Sequence, residues 1–203
     1  MTGAAFMPRW LKALFGNRRG ATIVEFAIVA PVLLMILMAL FDTGYYLYAR
    51  AILSGEMQAA GRSSALESAS EETQEDLDDH VTAAVQRVVP HGALSFTRMA
   101  YGSYERAQAK AEPFIDANGN GICDDGELFE DTNNNDTYDL DGGLEGQGNA
   151  RDVTIYTATL RYDRLFPLAH MLGWSNQVAV SSSTLLRNQP YDKQSVPPEG
   201  TCP

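Results

Sequence analysis

The chain has 203 residues and a formal net charge of -11, enough for one moderate globular domain and an anchoring segment. No basic stripe exists beyond the first twenty residues, which argues against a nucleic-acid binder. Two cysteines, Cys123 and Cys202, form no CxxC pair, so neither a zinc motif nor a dithiol redox motif is indicated.

Residues 1–20 carry Arg9, Lys12, Arg18 and Arg19 and no acid. Four positive charges would leave with this segment, taking the net charge from -11 to -15. From Ile23 to Leu40 the chain is apolar apart from Glu25, with Pro31 inside the run. As a helix the run is about 27 Å long, close to the ~30 Å core of a bilayer. We therefore expect a transmembrane part over about 23–41. Arg18 and Arg19 flank one end, and Asp42, Tyr45, Tyr46 and Tyr48 the other, which places the N-terminus in the cytoplasm by the positive-inside rule. A carboxylate at the third position of such a run is costly and usually functional. It also suits poorly a secretory signal, whose apolar region is normally uncharged.

Arg18-Arg19-Gly20-Ala21-Thr22-Ile23-Val24-Glu25-Phe26 resembles a type IV prepilin processing site, and Gly20 to Arg50 resembles a TadE-like domain. The resemblance implies a prepilin leader over 1–20, cleavage between Gly20 and Ala21 by a prepilin peptidase, and a mature helix over 21–62. Gly20 offers the bare backbone that a peptidase needs beside the scissile bond. The new α-amino group at Ala21 is cationic near neutral pH. Glu25 can neutralise it within one subunit or across two, which the resemblance links to subunit registration. The implied partners are other pilins or pseudopilins, the peptidase and an inner-membrane pilus assembly platform. The implied location is the inner membrane, with the C-terminal domain in the periplasm and, after assembly, on an extracellular pilus.

Beyond Asp42 a helical stripe of Leu47, Ile52, Leu53 and Met57 runs among Ala49, Ala51, Gly55, Ala59, Ala60 and Gly61. The stripe can cover the chain's own sheet, and small residues admit other pilin helices on a different face. Serines from Ser63 to Ser70 loosen the pattern. A second helix is expected over 71–89, with acids in its first turns and Leu77, Val81, Ala84, Val85 and Val88 inward, stopped by Pro90 and Gly92. His80 and His91 read as surface or cap residues.

Strands are expected over 94–101, 153–162 and 177–186. The connection between the last two, Leu165-Phe166-Pro167-Leu168 to Met171-Leu172-Gly173-Trp174, reads as a short helix. Its aromatics are expected to close the core, partner docking being the other reading. The Pro-rich tail from Asn188 is expected to be irregular. The fold class is α+β: a long N-terminal helix packed on a small antiparallel sheet, with residues 63–203 as the extracytoplasmic domain. Pilin-like folds share that plan.

Inserted in this domain, residues 116–143 look like a calcium-binding loop. Asp116, Asn118, Asn120, Asp124 and Glu127 occupy positions one, three, five, nine and twelve of an EF-hand loop. Gly121 sits at the sharp turn, and Ile122 offers its carbonyl. Ca2+, a hard cation taking six to eight oxygens, suits this set better than Mg2+. A second copy begins fifteen positions on with Asp131, Asn133, Asn135, Thr137 and Asp139. It has Asp136 in place of the turn glycine and Gly142 in place of the bidentate glutamate; Asp141 is the expected substitute. Pro113 and the Gly/Asn runs forbid flanking EF-hand helices, so the stretch resembles the EF-like loops of dockerins and thrombospondin type 3 repeats. The bland reading is an acidic surface loop. The cysteines are either one disulfide, fastening the tail to this loop, or two unrelated thiols.

The expected function is that of a minor pseudopilin in assembly or priming of a Tad-type pilus, with calcium ordering the exposed domain. The alternative is a membrane-tethered, calcium-dependent adhesin. No nucleophile elbow, phosphate loop or zinc helix is present and the histidines are scattered, so no enzyme is expected.

Overall fold

The computed structural model describes residues 19–64, 71–149, 151–187 and 196–203. Residues 1–18 of the expected leader, the serine-rich link over 65–70 and the Asn188-Gln189-Pro190 start of the tail lie outside them. The chain divides into two compact units: one holds the helix up to Tyr45 with Arg164–Asn176, the other Tyr46–Asp163 with Gln177–Pro203.

The first unit is built on the N-terminal part of α1 (Arg19–Ser64), which contains Pro31. The helix is long and apolar enough to cross a membrane, and its most apolar stretch is wholly unburied. Beside it lies the excursion of Arg164–Asn176, which includes the single turn α4 (Leu168–Met171). It is fastened at Asp42: Arg164 Nη1 donates to the Asp42 carboxylate at 3.2 Å and the Leu165 N–H at 3.1 Å. The Phe41 and Phe166 rings lie 6.5 Å apart.

The second unit is a two-layer α+β domain. Its main sheet runs β3 (Leu144–Glu145), β1 (Ala93–Tyr101), β4 (Val153–Asp163), β5 (Gln177–Arg187), all antiparallel. Leu160 sits opposite Leu94 on one side and Val180 on the other. The period of two sends Thr154, Tyr156, Ala158, Leu160 and Tyr162 to the buried face. Both helices cover this face. In the second half of α1, Ala49, Leu53, Met57 and Ala60 are buried, the four-four-three spacing of a single helical stripe. The stripe differs from the expected one in that Leu47 points outward at 56 % exposure and Ala49 takes its place. Gly61 lies so close to Thr184 that a Cβ would stand 2.8 Å from its hydroxyl oxygen. From α2 (Glu71–Gln86), Val81 and Val85 are buried, while Leu77, Ala84 and Val88 are half-buried. This helix ends three residues early, and its last apolar residues continue in a turn, with the Val89 N–H donating to the Val85 carbonyl at 2.9 Å. His80 and His91 are exposed. The opposite face of the sheet carries Thr157, Thr159, Ser181 and Ser183, with Thr159 and Ser181 hydroxyls 3.0 Å apart.

Besides the two-residue β3, three elements have no counterpart in the sequence expectations. A short helix, α3 (Tyr104–Ala109), starts at Ser103, whose hydroxyl accepts the Arg106 N–H at 3.2 Å. Two three-residue strands, β2 (Leu128–Glu130) and β6 (Glu199–Thr201), pair antiparallel with Phe129 opposite Gly200. The tail is therefore irregular only in part. Its end becomes a strand because the Cys202 N–H donates to the Glu127 carbonyl at 2.8 Å and the Pro198 carbonyl accepts from Asp131. Phe129 is buried, with the Tyr138 ring edge-on at 5.7 Å and Phe114 edge-on to Tyr138 at 5.5 Å. These aromatics give the insertion a core of its own.

Candidate functional site

Each acidic loop is organised by one carboxylate at its start. Asp116 accepts the backbone N–H groups of Gly119, Asn120 and Gly121 at 2.6, 3.2 and 2.8 Å. Asp131 does the same for Asn135 and Asp136 at 3.0 and 2.8 Å. The backbone bends left-handed at positions four and six in both: Gly119 and Gly121 at φ 75° and 77°, Asn134 and Asp136 at 61° and 60°. Asparagine and aspartate tolerate that conformation because their short side chains bond locally. The missing turn glycine is therefore no obstacle to the second loop.

The amides repeat as well. Asn118 and Asn120 donate to Asp124 Oδ2 at 2.7 and 2.6 Å; Asn133 and Asn135 donate to Asp139 Oδ2 at 2.8 and 2.6 Å. These bonds hold Asp124 and Asp139 below the usual carboxylate range. The Ile122 N–H meets Asn120 Oδ1 at 2.7 Å, and the Thr137 N–H meets Asn135 Oδ1 at 2.8 Å.

The repeat extends to the closing glutamate, which in the second loop comes from a different place in the chain than its spacing predicts. Glu127 accepts the N–H of Ala117, position two, at 2.9 Å and of Asp124, position nine, at 3.0 Å. In the second loop the same two positions are Thr132 and Asp139, and both donate to Glu112, at 2.7 and 2.9 Å. Glu112 precedes the loop and reaches it from outside its twelve-residue span. Asp141, the expected substitute, is engaged elsewhere: its carboxylate accepts the Tyr101 hydroxyl at 2.7 Å and lies 3.5 Å from Lys110. The available signal was a complete loop beside a copy lacking its last carboxylate, with an unassigned Glu112 just before Pro113.

Glu112, Asp131 and Glu127 are buried at 2, 2 and 8 % exposure. Of the ion pairs among the described residues, none involves these three. A buried carboxylate without a cation is costly. Asn133 Oδ1 is buried with no hydrogen-bond partner. Among the described residues no three His, Cys, Asp or Glu side chains converge on one point; the asparagine amides stand between the carboxylates. An amide turned end for end presents an oxygen where it now presents a donor. The residues present thus fit a hard, oxygen-seeking cation, with Asp116, Asn118, Asn120, the Ile122 carbonyl, Asp124 and Glu127 on one loop. On the other they are Asp131, Asn133, Asn135, the Thr137 carbonyl, Asp139 and Glu112.

Cys123 and Cys202 are joined as a disulfide, their Cα atoms 5.5 Å apart across 79 residues of sequence. Cys123 lies inside the first loop, so the bond ties the chain's end to it.

In the first unit, Gly20 and Ala21 lie in the first turns of α1 and Glu25 is exposed on it. Ala21 and Glu25 are four residues apart and share one helix face. The connection over 165–174 departs from expectation: Leu165, Met171, Leu172 and Trp174 are 54 to 74 % exposed, so the tryptophan closes no core.

No curated protein and no solved structure matches the chain. Residues 20–62, the helix carrying Gly20, Glu25 and the buried stripe, are similar to the family described as TadE-like protein, whose model matches them.

Proposed function

We propose that the chain is a TadE-like minor pseudopilin, cut between Gly20 and Ala21 and built through α1 into a Tad-type pilus or its assembly machine. The observation that carries this reading is the family match over residues 20–62. It falls on the helix that leaves Glu25 and a long apolar surface uncovered. Before assembly α1 spans the inner membrane, with the α+β domain in the periplasm. During assembly the same surface packs against other pilins, and Glu25 answers the new amino group of Ala21. No residue in this reading performs chemistry; the role is structural. The partners are other pilins, a prepilin peptidase and the membrane platform.

Calcium is part of the same reading. One Ca2+ in each loop would supply the positive charge that Glu112, Asp131 and Glu127 lack, and would set the insertion and the tail bonded to it. The second ion depends on Glu112.

The test is intact mass and N-terminal sequencing of membrane-extracted protein, expressed with and without a matching prepilin peptidase. The expected product starts at Ala21, requires the peptidase and disappears in Gly20→Val. A chain that keeps Arg18 and Arg19 beside an active peptidase sinks the pseudopilin reading. It would leave a tethered, calcium-dependent adhesin as the account of the exposed domain.

A further inference from the structure

We propose that the 164–176 excursion is a membrane foot, lying in the boundary between headgroups and acyl chains where α1 leaves the bilayer. It rests on the membrane-span reading of α1. Asp42 is the first charged residue after the apolar run, so it marks the edge of the hydrocarbon region. The excursion is fastened there by both Arg164 and the Leu165 backbone, with Phe166 against Phe41. Its place along the membrane normal is thereby set by the residue that ends the span.

The excursion's own structure presents its apolar side chains outward. Ala169 is buried and forms the inner side of α4. The turn after it closes with Gly173 at φ 77°, while the Trp174 N–H returns to the Ala169 carbonyl at 2.9 Å, a glycine-terminated helix end. Leu165, Met171, Leu172 and Trp174 are left exposed at 54, 74, 56 and 68 %. Residues 165–176 include no Asp, Glu, Lys or Arg, in a chain with a net charge of -11. The one charged residue of the excursion, Arg164, is paired with Asp42. An uncharged, apolar segment carrying tryptophan at the end of a span suits the interfacial zone, where that side chain is enriched. Such a segment is poorly suited to open water, and its attachment at the bilayer edge favours lipid over a protein partner.

Trp10 and Trp174 are the two tryptophans of the chain. In the full chain with Trp10→Phe, fluorescence therefore reports Trp174 alone. The protein is reconstituted in vesicles of phosphatidylethanolamine and phosphatidylglycerol, and flotation with the vesicles reports the span separately. The expected result is emission shifted to the blue and protected from iodide. It is quenched more by lipids brominated near the headgroup than by lipids brominated at the chain ends, at every protein-to-lipid ratio. Free access of iodide with no effect of brominated lipid, in protein that floats, overturns the foot while leaving the span. Protection that grows only as protein crowds the vesicles also overturns it, by assigning the patch to a second copy. Protein that does not float removes the span and the foot together.

Discussion

Glu112 accepts the backbone N–H of Asp139 at 2.9 Å, as Glu127 accepts that of Asp124 at 3.0 Å. The two glutamates occupy equivalent positions in two loops that share a backbone course, yet one lies after its loop and the other before. On the proposed calcium reading, Glu112→Gln should abolish one site and spare the other; Glu127→Gln should do the reverse. Loss of an outer-shell partner costs about 10–100-fold in metal affinity, and a closing carboxylate should cost at least that much. Calorimetric titration of the exposed domain within the full chain should give two ions for the parent and one for each single variant. Two ions retained in Glu112→Gln would show that Glu112 only buttresses the loop.

Local patterns carried much of the fold. β4 alternates over eleven residues, from Val153 to Asp163, long enough for a period of two to show. The stripe on α1 was partly legible, but Leu47 and Ala49 compete for its first position, and only packing against the sheet decides between them. β2 and β6 were not legible. Three residues carry no period, and the pair joins Leu128 to Thr201 across most of the domain. Glu112 was hidden for a related reason: motif spacing looks within twelve residues, and this side chain arrives from outside them. Trp174 is exposed, although an aromatic in an apolar connection is expected to close the core. That tendency gives way here because the segment is fastened at Asp42, beside a stretch of α1 that is itself wholly unburied.

The disulfide between Cys123 and Cys202 closes a long loop of chain. On the loop-entropy argument such a link contributes about 3–5 kcal/mol. Cys202→Ser should lower the thermal midpoint of the domain and release β6 from β2. Hydrogen exchange at Phe129, opposite Gly200, and at Asp131, whose N–H donates to the Pro198 carbonyl, should rise well above exchange in β4. Unchanged protection in β2 would mean that the strand pairing and the Pro198 contact hold the tail without the covalent bond.

Gly55 and Gly61 sit on the same helix, yet should respond to substitution with opposite sign. A Cβ at Gly55 meets nothing within 4 Å, whereas one at Gly61 meets Thr184 at 2.8 Å. Gly55→Ala should stabilise the monomer by about 0.5–1 kcal/mol, because alanine replaces the poorer helix former on an open surface. Gly61→Val overfills the contact with β5 and should cost about 1–3 kcal/mol. Denaturant unfolding in a fixed detergent reads both. If Gly55→Ala also impairs pilus assembly while stabilising the monomer, that open position is used by a neighbouring helix. Equal destabilisation by both variants would remove this distinction between the two faces of α1.

Tyr156 is fully buried under α2, where its hydroxyl donates to the Asp78 carboxylate. Arg98 holds the same carboxylate with two bonds, at 3.0 and 2.7 Å, and its guanidinium lies 4.3 Å from the centre of the Tyr156 ring. Burial raises the phenol above its ordinary value, the bond to Asp78 and its negative charge add to the rise, and the charge of Arg98 opposes it. Tyr101 is raised in the same sense by burial and by its bond to Asp141. The unfolded chain loses a tyrosine proton near pH ~10, while the folded chain keeps it to higher pH. The folded state then binds more protons than the unfolded one, so stability falls as pH rises above about 10 and is unaffected by these groups below it. Tyr156→Phe should remove part of that alkaline decline. At neutral pH it should cost about 1–3 kcal/mol, because Asp78 loses a donor in a half-buried site. Denaturant unfolding at neutral and alkaline pH, followed alongside phenolate absorbance, tests both parts. The last phenolates should appear only as the fold is lost. A single early titration with undiminished stability would show that Tyr156 ionises in place, and the Asp78–Tyr156 contact would then not be the lock between α2 and the sheet.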